Sequence, residues 1–168
     1  MIHEWSSLFL MEEPTRPDDT FTPVKRLAVD SLAPAAIKAL NALDAAVRRS
    51  SIDAGLLDLV RLRASQLNGC AYCVDVHSRD ALAAGQTERR LLTLSTWRET
   101  PLFTPRERAA LELTEAITTL ADHPVSDEIF DAAAAHFPEA ELAQLIWTVA
   151  VINTWNRLGA VARPWSLA

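Results

Sequence analysis

The sequence has only two cysteines, four glycines and one tyrosine in 168 residues. So few glycines disfavour an all-β chain, whose tight turns depend on them. Positive charge is also short, with 16 Lys and Arg against 22 Asp and Glu, giving a net charge of −6 and a pI near 5.2. Phosphate binding needs a basic patch, so nucleic acid and anionic membranes are disfavoured as partners. No apolar run approaches the ~18 residues needed to span a bilayer. The first residues offer only "LFLM" as an apolar island, followed at once by Glu12 and Glu13, which is no secretory signal. A cytoplasmic location is the resulting expectation, and there a close cysteine pair is more often catalytic or metal-binding than a structural staple.

Apolar residues make up 49% of the chain, and alanine and leucine dominate them. That composition favours helix, and the length suits one domain with its own core. We expect an all-α, single-domain helical bundle over residues 30–168, preceded by an arm over residues 1–29. The arm carries Pro14, Pro17 and Pro23 without sustained periodicity, and Trp5 and Phe9 are its candidate anchors.

Within the bundle, Ala36, Leu40, Leu43 and Val47 mark one face of a first helix. A second runs from about Gly55 to Leu67, and Asn68-Gly69 breaks it. A third spans about Cys70 to Gly85, and Thr87 caps a fourth carrying Leu91, Leu94 and Trp97. Thr104 and Glu107 form a capping box around Pro105, Ser126 caps the next helix, and the last starts at Pro138. Asn153 and Asn156 interrupt the apolar stripe of that last helix and are assigned to helix or subunit packing. Trp97, Trp147 and Trp155 read as core or interface residues, His123 and His136 as surface residues, and Tyr72 as a packing residue or pocket wall.

Both cysteines lie in "NGCAYCVDVHSRDA". On a helix, Cys73, His77, Ala81 and Ala84 share one face, with Cys70 at the start. The positive end of the helix favours a thiolate at Cys70, and an imidazole four residues on can take the proton of Cys73. Such a pair can close and reopen as a disulfide, one thiolate attacking and the other resolving. If the helices flanking Asn68-Gly69 fold back, Asp58 lies about 15 Å before the turn and His77 about 12 Å beyond it. Their levels nearly match, which permits a carboxylate–imidazole–thiol relay. Three alternatives stand beside it. Cys70, Cys73, His77 and Asp58 could ligate zinc; the thiols could be inert; or Asp58 could pair with Arg61 on a solvated surface.

The stretch "LVRLRASQLNGCAYCVDVHSRDA", continuing through "ALAAGQTERRLLTLSTWRETPLFTPRERAALELTEA" to "INTWNRL", resembles the alkylhydroperoxidase D-like branch of the carboxymuconolactone decarboxylase superfamily. The resemblance implies an all-helical fold that assembles as trimers or hexamers. It also implies thiol-dependent reduction of hydrogen peroxide or organic hydroperoxides, with a dithiol donor such as a dihydrolipoyl protein. By position it makes Cys73 the attacking thiol, Cys70 the resolving thiol and His77 the proton relay; our expectation for the chain is no cofactor and no metal. The decarboxylases of the superfamily lack the cysteine pair, which sets decarboxylation behind peroxide reduction. This chain departs from the family pattern at Asp58, where the family has Glu, and at Tyr72, where its best-known peroxidase has His. The shorter Asp58 arm, by about 1.5 Å, calls for a bridging water or weakens the relay. A redox sensor or oligomeric scaffold with detuned chemistry is the alternative function.

Overall fold

The computed structural model describes residues 24–165. The arm expected over residues 1–29 therefore lies, as far as residue 23, outside the described residues, Trp5 and Phe9 included. The described chain is a succession of helices: α1 (Val29–Leu32), α2 (Pro34–Arg48), α3 (Ala54–Leu67), α4 (Ala71–Ala83), α5 (Glu88–Leu92), a 3-10 turn (Leu94–Glu99), α6 (Pro105–Thr118), α7 (Asp127–Ala134) and α8 (Glu139–Ala162). Among the described residues there is no strand, so the fold is all-α as expected.

The helix starts reflect local chemistry. Asp53 accepts the Leu56 N–H at 3.0 Å at the head of α3. Thr104 and Glu107 satisfy each other's backbone N–H groups at the head of α6, with Pro105 at its first position. Ser126 caps α7, and Pro138 precedes α8. Each such cap satisfies a backbone donor that the helix itself leaves unpaired.

The expected fourth helix is in fact two pieces. Helix α5 stops at Leu92, and a further kink at Thr96 (φ −117°, ψ 28°) interrupts the 3-10 turn, from which Leu94 and Trp97 enter a core cluster with Leu59, Leu62, Phe103 and Leu111. Arg108 donates to the carbonyls of Trp97, Arg98 and Thr100 that this irregular stretch leaves open. Tertiary packing of the indole has overridden local helix preference.

Helix α3 is the axis of the molecule, packed against α4, α6 and α8. Leu56, Leu57 and Val60 face a second cluster with Leu113, Leu145 and Val149. Its remaining face is polar yet buried: Asp58, Arg61 and Ser65, at steps of three and four, continued by Asn68 at the turn. Buried polar groups must find partners. Asn68 donates to the side-chain oxygens of Asn153 and Asn156 of α8, at 2.9 and 3.0 Å, while Asn156 donates to Ser65 Oγ at 3.0 Å. Asn153 in turn donates to Thr118 Oγ1 at 3.1 Å. The two asparagines therefore do the helix packing expected of them.

Two apolar features differ from the sequence reading. The α2 stripe is largely uncovered, since Ala36 and Leu43 are exposed and only Val47 is buried. Trp147 is 53% exposed, so it is no core residue of this chain. Among the described residues α2 packs chiefly on α8 and α1, which leaves both of these faces outward. His123 and His136 are exposed, as read.

Candidate redox site

Gly69, in the left-handed region (φ 64°), reverses the chain between α3 and α4, a conformation that a side chain would strain. The reversal places Cys70 at the N-cap of α4, where its Sγ accepts the Cys73 N–H at 3.4 Å. Cys70 and Cys73 are joined as a disulfide, with their Cα atoms 5.3 Å apart. Both are nearly inaccessible, at 2% and 4% exposure. The interior of α8 covers them through Gly159: a Cβ built there would stand 2.7 Å from Cys70 Sγ and 3.6 Å from Cys73 Sγ. Only a residue without a side chain lets the helix approach the sulfurs so closely.

One helical turn beyond Cys73, His77 is buried on the same face, at 6% exposure. The fold-back expected from the sequence brings Asp58 of α3 beside it, and Asp80 of α4 joins them. Ligand atoms of Asp58, His77 and Asp80 all lie within 4.8 Å of one another. His77 Nδ1 is 3.7 Å from Asp80 Oδ2 and has no hydrogen-bond partner among the described residues. Asp58 Oδ1 accepts from Arg61 Nη1 at 3.2 Å. The Asp58–Arg61 pair is thus real, but it is buried rather than solvated, with both residues below a tenth exposed.

Burial governs the electrostatics. It raises the Asp58 pKa above its usual value, and Arg61 only partly offsets it. Burial, then Arg61 and Arg48, pushes His77 down to about 4, so the imidazole is neutral at pH 7. A neutral imidazole among carboxylates can accept a proton, and the nearby guanidinium groups make it release that proton again.

With the two sulfurs bonded to each other, neither is a free thiolate available to the zinc set drawn from the sequence. The group that does converge, Asp58, His77 and Asp80, has the Arg61 guanidinium on one of its carboxylates, which disfavours a second cation there.

Four contributors were not singled out from the sequence. Asp80 was legible as the carboxylate three residues after His77, and Gly159 as a lone glycine inside a helical pattern. Arg48 comes from the end of α2, and its field at His77 is a tertiary effect. Trp165 lies beyond the last helix, where no periodicity marks it. Its ring packs on Tyr72, with centroids 5.2 Å apart, and on Trp155 at 5.9 Å. Tyr72 is therefore a packing residue beside the disulfide.

Similar proteins share this architecture. The sequence model for "CMD: Carboxymuconolactone decarboxylase family" matches residues 34–116. The uncharacterized protein YdfG of Bacillus subtilis is 36% identical over 134 residues, covering 80% of this chain and 91% of its own length. The crystal structure of ATU0492 from Agrobacterium tumefaciens superposes with a TM-score of 0.83 and 34% identity, over 86% of this chain and 99% of that one. ATU0492 is of unknown function, and its name suggests the antioxidant defence protein AhpD. The debrominase Bmp8, at 21% identity and a TM-score of 0.73 over 82% of this chain and 74% of its own, shares the fold. The sequence match, the all-helical architecture and the AhpD-like neighbours agree: this chain belongs to the carboxymuconolactone decarboxylase family, in its AhpD-like branch.

Proposed function

We propose that the protein is a thiol-dependent peroxidase that reduces hydrogen peroxide or organic hydroperoxides by cycling Cys70 and Cys73 between dithiol and disulfide. The carrying observation is the Cys70–Cys73 disulfide at the head of α4, backed by the buried Asp58 and His77 with the half-exposed Asp80 beside them. The family includes enzymes, a debrominase among the structural neighbours, and another neighbour, from Ralstonia eutropha, is described as peroxidase-related.

In the reduced protein, Cys73 gives its proton to neutral His77 and attacks the distal peroxide oxygen. The O–O bond breaks, Cys73 becomes a sulfenic acid, and the alkoxide takes a proton from the imidazolium to leave as an alcohol. Cys70 then attacks the Cys73 sulfur, forming the disulfide and expelling water. The position of Cys70 at the positive end of α4 stabilises its thiolate. It also makes Cys70 the better leaving group when a dithiol donor, for instance a dihydrolipoyl protein, attacks Cys73. Asp58, which stops short of a direct hydrogen bond to His77, orients the imidazole through water. Self-association belongs to this reading, because the uncovered α2 stripe and Trp147 need a partner surface.

The test is reductant-dependent consumption of hydrogen peroxide and cumene hydroperoxide by wild type, Cys70→Ser and Cys73→Ser, with light scattering on the same samples. Turnover should be lost in Cys73→Ser and stall after one cycle in Cys70→Ser, in particles heavier than the 18.5 kDa chain. Equal turnover in all three would sink the peroxidase reading. A disulfide that forms once but does not cycle would favour the redox sensor, and a monomer would refute the assembly.

A further inference from the structure

The disulfide is redox-competent only if a reagent can reach it, yet both sulfurs are buried. What closes the approach is instructive. The spot that a Gly159 side chain would fill borders Cys70 Sγ, Cys73 Sγ and, at 3.4 Å, the Cζ3 atom of Trp165. That indole leans on Tyr72 and Trp155. It belongs to no helix. Helix α8 ends where Arg163 adopts the left-handed conformation (φ 46°), unusual for a residue with a side chain, and the chain turns back through Pro164 to lay Trp165 beside the cysteines. Meanwhile the end of α8 is fixed, because the N–H groups of Arg26 and Leu27 both bond to the Ala162 carbonyl, at 3.1 and 3.0 Å. The anchor at Ala162 holds α8 independently of Trp165, which lies outside the helix.

Resting on the dithiol reading above, we propose that Trp165 is the gate of the Cys70–Cys73 site, its indole filling an aromatic slot between Tyr72, Trp155 and Gly159 that the apolar group of an aryl hydroperoxide takes when the gate swings out. Aromatic faces hold an aryl group by stacking as well as by burial, which a peroxide without an organic group cannot use. The gate thus acts on both half-reactions. It limits reduction of the disulfide, and it biases oxidation toward substrates able to replace the indole.

Reduction of the disulfide alone provides the test, because it needs no peroxide. One dithiothreitol thiolate attacks a protein sulfur and releases the other as a thiolate. The second dithiothreitol thiol then closes the reagent's own disulfide, leaving both cysteines reduced. Trp165→Ala should be reduced about tenfold faster than wild type under the same excess of reagent, with Trp165→Phe between them. In peroxide turnover, Tyr72→Ala should lower the kcat/KM ratio of cumene hydroperoxide to hydrogen peroxide about fivefold, the scale of one lost stacking contact. Equal reduction rates in wild type and both Trp165 variants would overturn the gate alone. A disulfide that no variant yields to dithiothreitol would overturn both the gate and the dithiol reading. An unchanged ratio in Tyr72→Ala would overturn the aryl slot.

Discussion

Gly159 of α8 and Cys70 at the head of α4 meet so closely that a methyl group on the glycine would stand 2.7 Å from the sulfur. The sulfur cannot retreat, since the bond to Cys73 ties it down. Gly159→Ala should therefore destabilise the oxidised protein despite the helix preference of alanine. Overpacking costs about 1–3 kcal/mol and the propensity gain is about 1 kcal/mol, so the clash wins. The reduced protein, whose sulfurs can part, should suffer less. Thermal unfolding with and without reductant checks this, and an oxidised variant as stable as wild type would contradict it.

His77 makes stability depend on pH in a defined direction. Its folded pKa, about 4, lies below the ordinary 6.5, so between those values the unfolded chain binds more protons. The contribution is complete above pH 6.5 and is lost as pH falls toward 4, about 3 kcal/mol in all. Asp58 runs the other way: with its folded pKa raised, its contribution is lost as pH rises through that value. The His77 share must therefore be read as a difference. Chemical denaturation of wild type and His77→Gln at pH 7 and pH 4.5 should show the wild type losing more. Parallel losses would disprove the assignment.

Asp58 is the place to test the relay itself. Its carboxylate and the His77 ring nitrogen lie within 4.8 Å, and one more methylene, about 1.5 Å, would bring them into hydrogen-bonding range. Asp58→Glu should raise peroxide turnover. Asp58→Asn should lower it, by up to the ~10²–10⁴-fold that acid–base assistance supplies. It should also cost stability, on the order of 3 kcal/mol, by leaving Arg61 without its counter-ion. If both variants turn over like wild type, Asp58 serves Arg61 and no proton.

Much of the fold was legible in the sequence, for physical reasons. Helix starts announced themselves because Thr87, Thr104 and Ser126 bond to backbone only a few residues away. The meeting of Asp58 with His77 was legible because a sharp turn between two helices leaves only one register to compute. Trp97 broke the expected fourth helix because its destination, the Leu59–Leu111 cluster, is set by distant residues. The burial of the Asp58–Arg61 pair was hidden for the same cause: an i, i+3 ion pair looks identical on a surface helix and on a central one. Arg48 and Trp165 act across gaps in sequence that no local pattern encodes.

The amide seam of Asn68, Asn153, Asn156, Ser65 and Thr118 contains no group that ionises at any ordinary pH and no sulfur. It clamps the α3–α4 turn to α8, and that turn sets where Cys70 and Cys73 stand. The mechanical frame of the site is therefore insulated from the site's own chemistry. Protons can come and go at Asp58 and His77, and electrons at the cysteines, without loosening the joint that keeps them aligned.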